Sequence, residues 1–183
     1  VYVQAKYLSE NLELHLLGNH YFVNLKALLF AGVIFNNSFW ISKSTSCLKK
    51  EIAEQILPDG SHFELSPMYH AQILLDLLDI VNLSRAYPSY ISKSFLKIIE
   101  NCIPGMLQVM ENMSHPDKGV SFFNDSVNGI APEKSKIEDY AKALCFEPEA
   151  MRINQIKIFR QDNSGYISAV NQGSKLIFDA AGI

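Results

Sequence analysis

Excess charge of either sign, cysteine and long apolar runs are all scarce in this chain, and each scarcity removes a class of protein. Lys and Arg number 16 against 19 Asp and Glu, a net charge of −3 with the five histidines neutral. No block of basic residues interrupts that balance, which argues against a nucleic-acid partner, because phosphate binding needs a concentrated basic face. No apolar stretch reaches the ~20 residues that a membrane-spanning helix requires, so no membrane insertion is expected. The most apolar window, Tyr21 to Phe35, is broken by Asn24 and Lys26 and reads as a buried helix. Cys47, Cys102 and Cys145 lie far apart, and neither CxxC nor a Cys/His metal spacing occurs. Buried thiols are the expected state. The chain opens at Val1 with no signal-like segment, which leaves its compartment open.

What is present is ample for a core: 48% of the residues are hydrophobic and 19% charged, and a chain of this length can bury roughly 70% of its unfolded surface. The first two-thirds read as successive helices. Tyr2 to Leu17 carries apolar residues at helical spacing and ends at Gly18. His20 to Phe35 is apolar on nearly every side, which suits a sandwiched helix. Phe39 to Ile56 is amphipathic, with Lys49, Lys50, Glu51 and Glu54 on its wet face. A turn at Pro58-Asp59-Gly60 precedes Ser66-Pro67, a serine cap followed by proline at the first helical position, and that helix runs to about Arg85. Ser89 to Asn112 forms a further helix, kinked near Pro104-Gly105, and Lys134 to Cys145 a short last one.

Beyond Pro148 the pattern turns β-like. Gln155 to Arg160, Tyr166 to Asn171 and Lys175 to Asp179 are separated by DNSG and QGS turns. Three short strands leave edges and one face unburied, so further strands beyond Ile183, and truncation at both ends, are expected. The reading divides the chain into helices over residues 1–150 and the start of a sheet domain over 151–183.

Reactive side chains concentrate at two helix starts, Gly18-Asn19-His20 and the stretch from Asp59 to His70. The first turn of a helix favours a bound anion. Tyr69 falls about three residues into its helix. Taken singly, Tyr69 reads as a packing residue, Asn19 as an N-cap, and His20, His62 and His70 as structural. Spacing alone leaves these alternatives open.

Four segments then occur in order: GNHYFVNLKALLFAG, QILPDGSHFELSPMYHAQILLDLLDI, SFFNDSVNGIAP and DNSGYISAVNQGSKLIFDAAG. Together they resemble the heparinase II/III-like family of polysaccharide lyases, which is similar in architecture to alginate lyases. The resemblance implies a mainly α fold, an incomplete (α/α) toroid of helices followed by the first strands of an antiparallel β-sandwich. It also implies cleavage of a uronic-acid-containing, anionic polysaccharide by β-elimination, and a periplasmic or secreted location.

Elimination requires a neutralised uronate carboxylate, a base for the C5 proton and an acid for the leaving O4 oxygen. The resemblance puts Asn19 on the carboxylate and His20 beside it, or as base for one epimer. It makes Tyr69 the acid, able also to take the C5 proton, and Glu64 and His70 substrate-binding or tyrosine-orienting groups. No cofactor is expected within this chain. The family's further histidine, often with divalent-metal ligands, would lie downstream of Ile183, so this chain alone is expected to have little lyase activity. Lys6, Lys26, Arg85 and Lys118 are candidates to line a groove for the anionic chain. Two other readings stay open. One is a non-catalytic glycan-binding relative of the same fold. The other is a glycoside hydrolase built on Asp59, Glu64 and Asp76.

Overall fold

The computed structural model describes residues 1–16, 18–147 and 156–180. Six helices come first: α1 (Tyr2–Glu10), α2 (Gly18–Ile34), α3 (Ser38–Gln55), α4 (Pro67–Ala86), α5 (Lys93–Asn112) and α6 (Lys134–Ala143). Three strands follow, β1 (Lys157–Arg160), β2 (Tyr166–Asn171) and β3 (Ser174–Asp179). Helices then sheet, as the sequence predicts. The chain divides into two compact units, Val1–Gln55 with Asp76–Asn101 and Ile56–Leu75 with Cys102–Ile183. The expected domain junction at residue 150 lies outside the described residues.

In the first unit, α1 packs on α2 and α2 on α3. Helix α2 is apolar nearly all round because it is enclosed: Phe22, Leu25, Leu28 and Leu29 are fully buried. Gly32 is required there, since a Cβ would meet the Ile41 side chain of α3 at 2.9 Å. Helix α1 stops seven residues short of the expected end at Leu17, itself outside the described residues. The cause is non-local. Asn24 of α2 accepts the Glu13 N–H at 3.1 Å and donates its amide to the Glu13 carboxylate at 3.0 Å, which draws the backbone out of helical register. Gly18, expected to end the first helix, instead begins the second with φ +51°.

Lys26 does not line a free groove. Its ammonium lies 2.6 Å from Asp76 and 2.5 Å from Asp79, and 5.8 Å from the centre of the Phe30 ring. Burial pushes the Asp76 carboxyl up, and Lys26 opposes that rise. Removing one member of a buried pair leaves the other uncompensated, at a cost of roughly 3–5 kcal/mol. Because this pair keeps some solvent, Lys26→Met is expected to destabilise by about 3 kcal/mol, read as a lower urea midpoint. A shift below about 1 kcal/mol would place the pair in the weak, solvent-screened class.

In the second unit the sheet is antiparallel in the order β1-β2-β3. Ile158 pairs with Ala169 and Ala169 with Leu176, while Ile167 pairs with Phe178. Alternation puts Tyr166, Ser168 and Val170 on the buried face. The opposite face carries Ile158, Leu176 and Phe178, each more than half exposed. One face is therefore unburied, as three short strands require. Tyr166 packs with Val109 of α5 and with Met113 just beyond it, together with Leu65, Phe123 and Ile177. Gln155, the expected start of β1, lies outside the described residues.

Two further expectations are corrected. Helix α5 begins at Lys93 rather than Ser89, because Ser92 Oγ accepts the Phe95 N–H at 3.3 Å and caps it there; the helix then runs unbroken through Pro104. The cysteines are not buried: Cys47 and Cys102 are half-buried and Cys145 is exposed, and none of the three is joined in a disulfide.

Candidate active site

The segment Asp59 to His70 is held by bonds that its own sequence does not reveal. Gly60 has φ +86°, a conformation glycine adopts without steric cost, and a Cβ there would sit 2.7 Å from the Gly105 carbonyl carbon of α5. Asp59 binds three backbone amides: Ser61 at 2.9 Å, and Asn163 and Ser164 in the β1–β2 turn at 2.9 and 2.8 Å. Burial works against the ionised Asp59 carboxyl, but these hydrogen bonds prevail and hold it below the usual carboxylate range. Ser61 adds a bond to Ser164 at 3.1 Å and accepts the Gln161 amide at 3.1 Å. The DGSHFELS stretch is thus a strap that ties the DNSG turn of the sheet to the start of α4.

At the end of that strap Leu65 has φ +53°. Its carbonyl accepts the Tyr166 hydroxyl at 2.6 Å and the Asn124 amide at 2.7 Å. Burial first, and then the Asp179 charge, push the Tyr166 phenol up to about 12. Ser66 caps α4 as the sequence predicts, accepting the Tyr69 N–H at 3.4 Å. Ser126 Oγ, 3.0 Å from Ser66 Oγ, accepts the Met68 N–H at 3.1 Å. Pro67 has no N–H, and the His70 N–H goes to the Ser66 carbonyl at 2.8 Å. The first-turn amides of α4 are therefore already engaged, and the expected anion site on them does not exist.

Tyr69 is the third residue of α4 and half-buried, with its backbone fixed by the Ser66 cap. Its neighbours His62 and His70 are core residues, 1% and 4% exposed. His70 Nε2 donates to the Met106 carbonyl at 2.8 Å; a carbonyl can only accept, so Nδ1 is the unprotonated nitrogen. His70, expected to orient the tyrosine or bind substrate, is instead turned into the packing against α5. Burial pushes it down to about 4 and His62, which also faces His70, down to about 3. Both are neutral over the ordinary pH range. With Leu65, Ser66, Met110 and Tyr166 they line a cavity of about 20 Å³, room for roughly one water. Glu64 is half-buried in the loop before the cap.

Asn19 and His20 belong to the first unit, whereas Glu64, Tyr69 and His70 belong to the second. Asn19 is the second residue of α2 rather than its N-cap. Asn19 and the exposed His20 line an open groove of about 230 Å³ with Glu13, Val23 and Asn24. The Glu13–Asn24 pair that ends α1 therefore forms one wall of that groove. The paired-carboxylate reading loses two of its three members: Asp59 is held by three backbone amides and Asp76 is bound to Lys26. Among the described residues no three His, Cys, Asp or Glu side chains come together to hold a metal ion, and no helix is long and apolar enough to cross a membrane.

The fold is that of solved heparinases. A crystal structure of heparinase III aligns with 97% of this chain and 31% of its own length, with a TM-score of 0.75 and 21% identity. Heparan sulfate lyase HepC from Pedobacter heparinus aligns with 91% of this chain and 28% of its own, with a TM-score of 0.62 and 23% identity. These likenesses establish a mainly α architecture, part of a helical toroid followed by the opening strands of an antiparallel sheet. The model of the heparinase II/III N-terminus matches residues 1–153, and the chain belongs to that family. Two relatives are heparin-sulfate lyases: one from Pedobacter heparinus, 33% identical over 133 residues, and one from Bacteroides stercoris, 25% identical over 133. The chain spans 19% of the length of the first and 18% of the second.

Proposed function

We propose that this chain supplies proton-transfer and substrate-binding groups of a polysaccharide lyase that cleaves an anionic, uronic-acid-containing polysaccharide by β-elimination. The observation that carries this reading is the setting of Tyr69. A strap of buried hydrogen bonds and a double serine cap fix its backbone at the start of α4, while its side chain keeps access to solvent. Rigid placement of an accessible phenol is what a positioned acid or base requires. Tyr69 protonates the O4 leaving oxygen, and takes the C5 proton where both lie on one face of the sugar ring. The Asn19 amide donates to the uronate carboxylate, which makes the C5 proton more acidic without adding a competing proton. His20, exposed beside it, assists that contact or serves as base for the other epimer. The names of the relatives point to heparan sulfate as the first substrate to test.

The test is product chemistry. The native protein incubated with heparan sulfate is expected to release oligosaccharides ending in a 4,5-unsaturated uronate, detected by ultraviolet absorbance and a mass equal to intact chain segments. Products one water heavier, lacking that absorbance, would mean hydrolysis and would sink the reading. Retention of the polysaccharide with no cleavage would favour a glycan-binding relative.

A further inference from the structure

Away from Tyr69, the second unit gathers three lysines and a histidine around a groove of about 390 Å³, within the size range of roughly 300–1,000 Å³ typical of small-ligand clefts. Lys118 and His115 come from the loop after α5, Lys134 opens α6, and Lys175 comes from β3. The lining includes two carboxylates, and both face the buried Lys134: Glu111 forms an ion pair with it, and Glu138 lies 3.6 Å from it. Lys175 donates instead to a neutral acceptor, the Glu111 carbonyl, at 2.5 Å. Burial lowers the Lys175 ammonium pKa; the Glu111 charge opposes this, and Lys134 adds to it. Such an ammonium gains from an incoming anion.

Lys118 stands at the rim in a rigid turn. Its φ is +71°, its N–H bonds the His115 carbonyl at 2.9 Å, and the His115 N–H bonds the Gly119 carbonyl at 2.8 Å. Asp117 closes that turn by accepting the Gly119 N–H at 2.9 Å. The β2–β3 turn completes the groove with Asn171 and Ser174, side chains suited to sugar hydroxyls.

We propose that this groove is a binding subsite for one anionic sugar residue, with Lys118 and Lys175 on its carboxylate or sulfate and Asn171 and Ser174 on its hydroxyls. The proposal rests on the glycan reading above and adds a contact separate from Asn19, His20 and Tyr69.

The experiment is a fluorescence-anisotropy titration of the 183-residue chain with a labelled heparan-sulfate hexasaccharide, with inorganic sulfate as competitor. Lys118→Glu and Lys175→Met are each expected to weaken binding at least tenfold. Lys97→Glu, the same charge change at an exposed site on α5, should stay within twofold. Inorganic sulfate at an equal concentration of anionic groups should displace little, because it lacks the sugar contacts. Equal losses for Lys118→Glu and Lys97→Glu would show diffuse charge attraction and overturn the proposal. Full displacement by sulfate would reduce the groove to a simple anion site and overturn it too. Should Lys175→Met not fold, Lys118→Glu carries the test, since Lys118 is exposed. The two readings fail separately. A native protein that does not cleave, yet loses binding with Lys118→Glu, refutes only the lyase activity. A protein that cleaves, with binding unchanged in Lys118→Glu, refutes only the subsite.

Discussion

Replacing Tyr69 with phenylalanine in the native protein is expected to lower kcat on heparan sulfate by about 10²–10⁴-fold while leaving oligosaccharide affinity within a few-fold. The substitution removes one oxygen and keeps the ring. The Ser66 cap bonds the backbone of Tyr69, not its side chain, so α4 starts where it did before. The hydroxyl has no hydrogen-bond partner among the described residues, so its loss leaves no buried group unsatisfied. Stability should change by less than about 0.5 kcal/mol, as for surface substitutions that touch no special feature. A fall in kcat with an unchanged unfolding midpoint and unchanged affinity is therefore the signature of a lost proton-transfer group. Retention of more than about a tenth of the parent kcat would move the acid–base role to another residue.

Acid is expected to unfold the second unit through its buried histidine pair. His62 and His70 have folded values of about 3 and about 4 against 6.5 for an unhindered histidine. The folded pKa values are depressed, so the folded state binds fewer protons than the unfolded state once the pH drops below 6.5. The stability these residues contribute is complete above that pH and is lost as pH falls toward the folded values. At pH 5 each has cost about 2 kcal/mol, from 1.5 units at 1.36 kcal/mol each. Asp59 acts in the same direction, but only below its ordinary value of 3.8. Glu51 and Asp76, raised chiefly by burial, act in the opposite direction, but they belong to the first unit. Comparing urea unfolding at pH 7.5 and 5 for the parent and for His70→Gln isolates the histidine share. The variant should lose about 2 kcal/mol less over that interval than the parent does. Equal losses in both proteins would mean that His70 is already solvated and titrates normally.

Local chemistry was legible in the sequence wherever the deciding partner lay within a turn of helix. Ser66-Pro67 announced the start of α4, the apolar run from His20 announced a buried α2, and the DNSG and QGS turns announced the sheet. The errors came from partners further away. The end of α1 depends on Asn24, eleven residues beyond Glu13, and no periodicity in Tyr2 to Leu17 records it. His70 is adjacent to Tyr69, and only the position of the Met106 carbonyl shows that it faces inward. Asp59-Gly60 reads as an ordinary turn until the amides of Asn163 and Ser164 are seen to end on its carboxylate. Of the groove-lining cations only Lys118 was singled out. Lys134 and Lys175 sit in unremarkable helix and strand patterns, and only the fold brings them together.

The Asp59 strap also bears on how the chain assembles. Its two bonds to the β1–β2 turn join residues 104 and 105 positions apart, and closing a flexible loop of that length costs about 4 kcal/mol before any contact repays it. The second unit moreover draws on two stretches of chain, with residues 76–101 assigned to the first. During synthesis, residues 56–75 leave the ribosome long before the turn that secures them has been made. Helix formation in α2 and α3 is local and fast, whereas the start of α4 stays unsecured until residue 164 emerges. The slow phase of folding should therefore report docking of the hairpin, and Tyr69 should reach its final setting in that same step.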